Sequence, residues 1–131
     1  MGVDIDSDAR RFARAELMLA GLPNCTLRQG SMYRLPFGDG EFDTAILDDV
    51  LTDAAKPVRA IREAVRVLKP SGRLLLLQSV DTDGIDILNG RIARWCAETG
   101  LRLAPARAIP SKRPEWVLAV ATKQDAASVA A

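Results

Sequence analysis

The chain contains no histidine among its 131 residues. That absence excludes Ser-His-Asp and Cys-His activation of a nucleophile within the chain, and His-ligated zinc with them. Any catalytic apparatus must use carboxylates, Lys, Tyr33 or positioning alone. Cysteine is scarce: Cys25 and Cys96 are far apart and neither belongs to a CxxC pair, the pattern of reduced thiols in a cytoplasmic protein. Long apolar runs are also lacking. Leu74 to Leu77 is the longest leucine run, far short of the roughly 20 residues of a membrane-spanning helix. Met1-Gly2-Val3-Asp4-Ile5-Asp6 carries neither the cationic start nor the apolar core of a signal peptide. A net charge of +1 leaves no electrostatic case for nucleic acid or an anionic membrane.

The remaining composition, 48% hydrophobic and 27% charged, is that of one ordinary globular domain, able to bury about two-thirds of its unfolded surface. Met1 to Ile5 reads as the end of a strand. Asp6 or Ser7 can cap a helix whose first turn carries Asp8, and Ala9, Phe12, Ala13, Leu17 and Ala20 follow helical spacing with Arg10, Arg11 and Arg14 on the wet side. Gly21 ends that helix and Pro23 prevents its resumption. Cys25 to Gln29 is the next strand. Pro57 suits the first turn of a second helix with Val58, Ile61, Val65 and Leu68 as its apolar stripe, and Arg59, Glu63 and Arg66 are spaced to pair along its outer face. Pro70-Ser71-Gly72 breaks that helix ahead of a strand, Leu74 to Val80, expected to be buried on both faces. Ile85, Leu88, Ile92, Trp95 and Cys96 share one face of a third helix closed by Gly100. Leu101 to Ala108 and Trp116 to Ala121 read as strands joined by a Pro110–Pro114 turn. Residues 1–123 form the expected domain and 124–131 a flexible tail.

The centre of the pattern is Leu35-Pro36-Phe37-Gly38-Asp39-Gly40-Glu41-Phe42-Asp43-Thr44-Ala45-Ile46-Leu47. Its proline-stiffened apolar run is too hydrophobic to leave in water, so it should tuck against the fold. Gly38 and Gly40 permit a tight reversal with positive φ before a buried strand at Thr44 to Leu47. Together with Arg66-Val67-Leu68-Lys69-Pro70-Ser71-Gly72-Arg73, this stretch resembles the second half of a class I S-adenosylmethionine-dependent methyltransferase. Alternating β and α units demand a mostly parallel sheet; the last two strands, separated by a short turn, should be antiparallel. The expected fold is therefore α/β and Rossmann-like, a mostly parallel sheet with an antiparallel terminal hairpin.

In that family the sheet runs 3-2-1-4-5-7-6. On this plan Met1 to Asp4 ends the family's second strand, and its first strand, glycine-rich turn and first helix have no counterpart. The chain is accordingly expected to be a fragment of a longer protein, or to pair with a second copy that covers the open edge. The resemblance implies that Asp4 binds the ribose hydroxyls of S-adenosylmethionine, since a carboxylate can accept two hydrogen bonds from a vicinal diol. Asp4 can equally begin the helix-capping turn. Ile5 would wall the adenine. Gly30, Ser31 and Met32 stand where the family has Gly-Asp, so a hydroxyl replaces the carboxylate that meets the adenine amino group. Leu47 and Asp48 lie where the methionine portion passes. Asp48, Asp49 and Asp53 can bind a cation or act as bases, but without histidine or fixed ligand spacing they read better as solubilising loop residues.

The implied reaction is in-line methyl transfer to a small molecule, which needs orientation and a dry pocket more than a dedicated acid or base. Two alternatives stand beside it. Arg28-Gln29-Gly30, Leu35-Pro36-Phe37 and Ala60-Ile61-Arg62-Glu63-Ala64 resemble methyltransferase-like domains behind an ArsR-type winged helix, where the domain would sense a ligand and regulate transcription. The other is a scaffold without ligand affinity.

Overall fold

The computed structural model describes residues 1–22, 24–105, 107–109 and 115–125. Pro23, the expected Pro110–Pro114 turn and the 126–131 part of the expected tail lie outside the described residues. The chain divides at Phe37 and Gly38 into two compact units.

In the first unit, β1 (Gly2–Asp4) pairs in parallel with β2 (Leu27–Gln29), and α1 (Ser7–Ala20) connects them. Asp6 is the N-cap of α1: its carboxylate accepts from the backbone N–H groups of Asp8 and Ala9. Gly21 closes the helix at φ 63°, donating back to the Leu17 and Met18 carbonyls, a left-handed ending that glycine adopts without the Cβ penalty. The apolar spacing of α1 is real, yet no residue of the helix is buried and Phe12 is 69% exposed.

The second unit holds the core. Its sheet runs β3 (Phe42–Asp48), β4 (Leu68–Ser79), β7 (Trp116–Lys123), β5 (Leu101–Leu103), with β6 (Arg107–Ile109) also on β7. α2 (Pro57–Val67) crosses from β3 to β4, and α3 (Ile85–Glu98) follows β4. β3 and β4 are parallel, whereas β4, β5 and β6 all pair antiparallel with β7. The sheet is therefore mixed: β3, β4, β5 and β6 share one direction and β7 runs against them. The expected antiparallel ending is present.

Leu74, Leu76 and Gln78 of β4 stand opposite Ala121, Ala119 and Val117 of β7, and all six are buried. Large residues on one strand face small or branched ones on the other, so the layer can close against α2 and α3 without overpacking. Leu75 and Leu77, on the other face, are only half-buried, so this strand is not covered equally on its two faces. α2 turns Ala60, Ile61, Ala64 and Val67 inward, one position round from the expected stripe; the small alanines permit close approach. β3 has no buried residue and Ile46 is 61% exposed. The expectation of a buried strand at Thr44 to Leu47 fails because β3 has a strand neighbour on one side only among the described residues.

Pro70-Ser71-Gly72 does not separate helix from strand. α2 ends at Val67 and β4 begins at Leu68, with a register shift between Phe42 and Thr44 that absorbs the extra residues as a bulge. Ser71 sits at φ 64°. A Cβ on Gly72 would lie 2.7 Å from the Lys69 carbonyl oxygen and 3.2 Å from that of Asp43, so backbone packing dictates glycine there.

Candidate functional site

In the first unit the parallel pairing of β1 and β2 places Asp4 opposite Gln29. The next link is the Gly30 N–H donating to the Asp4 carbonyl at 3.3 Å. Asp4, Ile5, Gly30, Ser31 and Met32 are thus brought together at the carboxyl end of this two-stranded sheet. Asp4 Oδ1 accepts from the Asp6 N–H at 2.9 Å, and the Arg10 guanidinium donates to the Asp4 carbonyl at 2.8 Å. The two readings of Asp4 are compatible: one carboxylate oxygen makes the turn before the cap residue, and Oδ2 has no protein partner among the described residues. Ile5 is 70% exposed beside it.

Gly30 has a packing reason of its own. A Cβ there would meet Val3 Cγ1 at 2.7 Å and Pro36 Cδ at 2.9 Å. Ser31 Oγ accepts from the Tyr33 N–H at 3.1 Å, and the Ser31 carbonyl accepts from the Arg34 N–H at 3.0 Å. The serine therefore organises a turn; its hydroxyl proton is the part left for a ligand. The Leu35-Pro36-Phe37 run is half-buried. The Arg28 guanidinium lies 5.3 Å from the Phe37 ring centroid and donates to the Pro36 carbonyl at 3.3 Å, so a cation covers the apolar anchor. A groove of about 580 Å3 in this unit is lined by Leu17, Met18, Leu22, Cys25 and Leu27; it lies toward the amino end of β2, not beside Asp4.

Leu47 and Asp48 belong to the second unit, at the carboxyl end of β3, where they pair with Leu76 and Leu77. Asp48 is exposed. Asp49 follows at φ 53°, and its side chain is no solubilising group. Asp49 Oδ1 accepts from Gln78 Nε2 at 2.8 Å, the Ser79 N–H at 2.9 Å and the Ser79 hydroxyl at 2.7 Å. The sequence does not single out Gln78 as a candidate. Its one signal was the period: position 78 continues the inward-facing series of Leu74 and Leu76.

The Gly38–Gly40 turn is fastened to α2. Arg66 NH1 meets Asp39 at 2.9 Å, NH2 and Nε meet the two Glu63 oxygens at 2.7 and 2.9 Å, and the Arg66 carbonyl accepts from the Gly40 N–H at 2.9 Å. The two carboxylates raise the Arg66 pKa further above its ordinary value. Gly40 has φ 63°, while Gly38 does not adopt positive φ and instead donates to Glu41 Oε2 at 2.6 Å. These contacts hold the loop rather than a ligand. Among the described residues no group of three or more Cys, Asp or Glu side chains is placed to share a metal ion.

A family model described as a methyltransferase domain matches residues 1–76. An uncharacterised 37.1 kDa protein in a transposon of Streptomyces fradiae is 38% identical over 74 residues, 56% of this chain and 21% of that protein. The ubiquinone/menaquinone biosynthesis C-methyltransferase UbiE of a Ruegeria species is 36% identical over 83 residues, 62% of this chain and 32% of the enzyme. The chain thus spans a fifth to a third of these curated relatives. Among solved structures, an S-adenosylmethionine-dependent methyltransferase from Methanosarcina mazei superposes with TM-score 0.74 at 20% identity, covering 94% of this chain and 81% of that one. The [4+2]-cyclase SpnF does so with TM-score 0.77 at 18% identity, covering 94% and 65%, so the fold alone does not dictate methyl transfer. With its first 76 residues matched by the domain model, the chain belongs to the family of class I S-adenosylmethionine-dependent methyltransferase domains.

Proposed function

We propose that this chain carries part of the cofactor site of an S-adenosylmethionine-dependent methyltransferase acting on a small molecule. The observation that carries the reading is Asp4: an exposed carboxylate at the carboxyl end of a parallel strand pair, with Oδ1 spent on its own turn and Oδ2 unspent. The residues present fit an adenosine. Oδ2 accepts from a ribose hydroxyl, Ile5 offers an apolar surface to the base, and the Ser31 hydroxyl retains a proton to donate to a ring nitrogen.

When bound, the cofactor supplies a methyl group on a sulfonium sulfur; the acceptor's lone pair forms the new bond as the sulfur–carbon bond breaks and its electron pair returns to sulfur. The chain's own contribution is to bind and orient. Titration of S-adenosylmethionine into the natural protein, followed by calorimetry, tests the reading. Binding is expected, and Asp4→Asn should weaken it about tenfold, the scale of one hydrogen bond to a charged group. No heat at millimolar cofactor overturns the proposal.

A further inference from the structure

We infer that Arg73, Thr122 and Arg102 form a binding site for phosphate, as the free ion or as the monoester of a small molecule. The site lies wholly within the second unit and is independent of the cofactor reading.

The register of the larger sheet brings the three residues together. Arg73 of β4 stands opposite Thr122 of β7, and Thr122 stands opposite Arg102 of β5. Thr44 of β3 extends the row on the other side of Arg73. Residues directly opposite on neighbouring strands share a face. Burial of the next residues agrees: Leu74, Ala121 and Leu101 are in the core. Arg73, Thr122 and Arg102 therefore face away from it, the arginines exposed and Thr122 half-buried. Across the strand order β3-β4-β7-β5 the row reads hydroxyl, guanidinium, hydroxyl, guanidinium. Two strand spacings separate the arginines, about 10 Å between backbones, a span over which two long side chains can close on one group.

Neither guanidinium has a hydrogen bond or ion pair to a side chain among the described residues, and the Thr122 hydroxyl has none. Beside them is a cleft of about 340 Å3, lined by Arg102 and Thr122 together with Ser71, Lys123, Gln124 and Asp125. The Lys123 ammonium is committed to the Val65 and Leu68 carbonyls at 2.9 and 2.6 Å. The acid of the cleft, Asp125, accepts from the Ser71 hydroxyl at 2.9 Å. Arg73, Arg102 and Lys123 against that single carboxylate leave the place positive.

The donor set selects the ligand. A carboxylate presents two oxygens in one plane, and one guanidinium fork satisfies it. A phosphate monoester presents three oxygens around phosphorus and about −1.5 to −2 charges. It can take both forks and the Thr122 hydroxyl at once. The cleft gives the remainder of a small ester somewhere to lie, with the Gln124 amide along it.

The test titrates the natural protein with inorganic phosphate and, separately, with phenyl phosphate, at an ionic strength held constant with sodium chloride, while amide NMR shifts are followed. Saturable shifts centred on Arg73, Thr122 and Arg102 are expected with both probes. Tighter binding of phenyl phosphate identifies an ester as the ligand; equal or tighter binding of inorganic phosphate identifies the free ion. Arg102→Lys keeps the charge and loses the fork, so it should raise both Kd values about tenfold, and Arg73→Gln should do the same. Thr122→Val should raise them about threefold, and Thr122→Ser, which retains the hydroxyl, should leave them unchanged. The arginines are exposed, so their variants should keep the unmodified thermal midpoint. Shifts that grow without saturating, or an Arg102→Lys variant that binds as tightly as the unmodified protein, overturn the site. Acetate binding as tightly as phosphate overturns the assignment of its ligand.

Discussion

Arg66, in the last turn of α2, holds Asp39, in the turn before β3, through a 2.9 Å ion pair across 27 positions of sequence. The same arginine grips Glu63 with two nitrogens, and Lys69 lies 3.4 Å from Asp43. The two sequence stretches that carry the family resemblance are therefore in contact, and their contact is structural. Arg66→Met should lower the thermal midpoint and speed exchange of the Gly40 amide, whose acceptor is the Arg66 carbonyl. Because Asp39 is largely exposed, the difference between the two proteins should shrink in about 1 M salt, where screening is nearly complete. A midpoint insensitive to the substitution would make the ion pair ornamental.

Two glycines should respond to alanine with opposite signs. At Gly72 the new Cβ meets backbone oxygen at 2.7 Å, and nothing nearby can rotate away, so Gly72→Ala should cost about 2–4 kcal/mol. Gly90 lies inside α3 with no atom within 4 Å of an added Cβ. There Gly90→Ala should stabilise by about 0.5–1 kcal/mol, through helix propensity and a less flexible unfolded chain. Denaturant unfolding of both variants checks the pair; a destabilising Gly90→Ala would contradict the open surroundings of that position.

Much of this architecture was legible because local rules and tertiary packing agreed. The Asp6 cap, the Gly21 ending, Pro57 at the start of α2 and the inward face of α3 are each decided within a few residues. Failures came where a neighbour decides. Val58 and Val65 looked like core, but the close approach of α2 favours Ala60 and Ala64. Thr44 to Leu47 had the composition of an inner strand, yet burial depends on what pairs with β3, which no local pattern contains. Pro70 suggested a break, whereas Gly72 lets the chain fold into a bulge of β4. At the candidate site, Asp4 and Gly30 were visible as residues, and their adjacency came from β-pairing. Asp49 looked like one of several loop acids because its partners are 29 and 30 positions away, at Gln78 and Ser79.

Asp4 and Asp6 divide two tasks that the sequence presents together. Asp6 Oδ1 accepts from Asp8 and Ala9 N–H groups, so Asp6→Ala should cost about 1 kcal/mol of stability, the usual value of an N-cap. Its effect on cofactor affinity should be small. Asp4→Asn keeps an oxygen for the Asp6 N–H and loses the charge, so it should leave stability nearly unchanged while weakening the cofactor. Unfolding midpoints measured beside binding isotherms separate the two. Equal losses of affinity in both variants would mean that the start of α1, not Asp4 itself, governs binding.

The two thiols should differ in reactivity and in their bearing on stability. Cys25 is exposed and Cys96 is 1% exposed in α3, so a thiol reagent should modify one cysteine in the folded protein and both in denaturant. Burial pushes the Cys96 thiol up, and the sign of the pH effect follows. Below the unfolded thiol's value of about 8.5 both states hold the proton and the stabilising difference is fully present. Above it the unfolded chain releases its proton first, so stability declines as pH rises through the folded value. Cys96→Ala removes the term: the variant is less stable at neutral pH because of the cavity, but its stability should fall less steeply between about pH 8.5 and 10. Other groups titrating in that window contribute to both proteins and cancel in the comparison. Parallel pH profiles would show that the Cys96 thiol ionises as readily in the folded state as in the unfolded one.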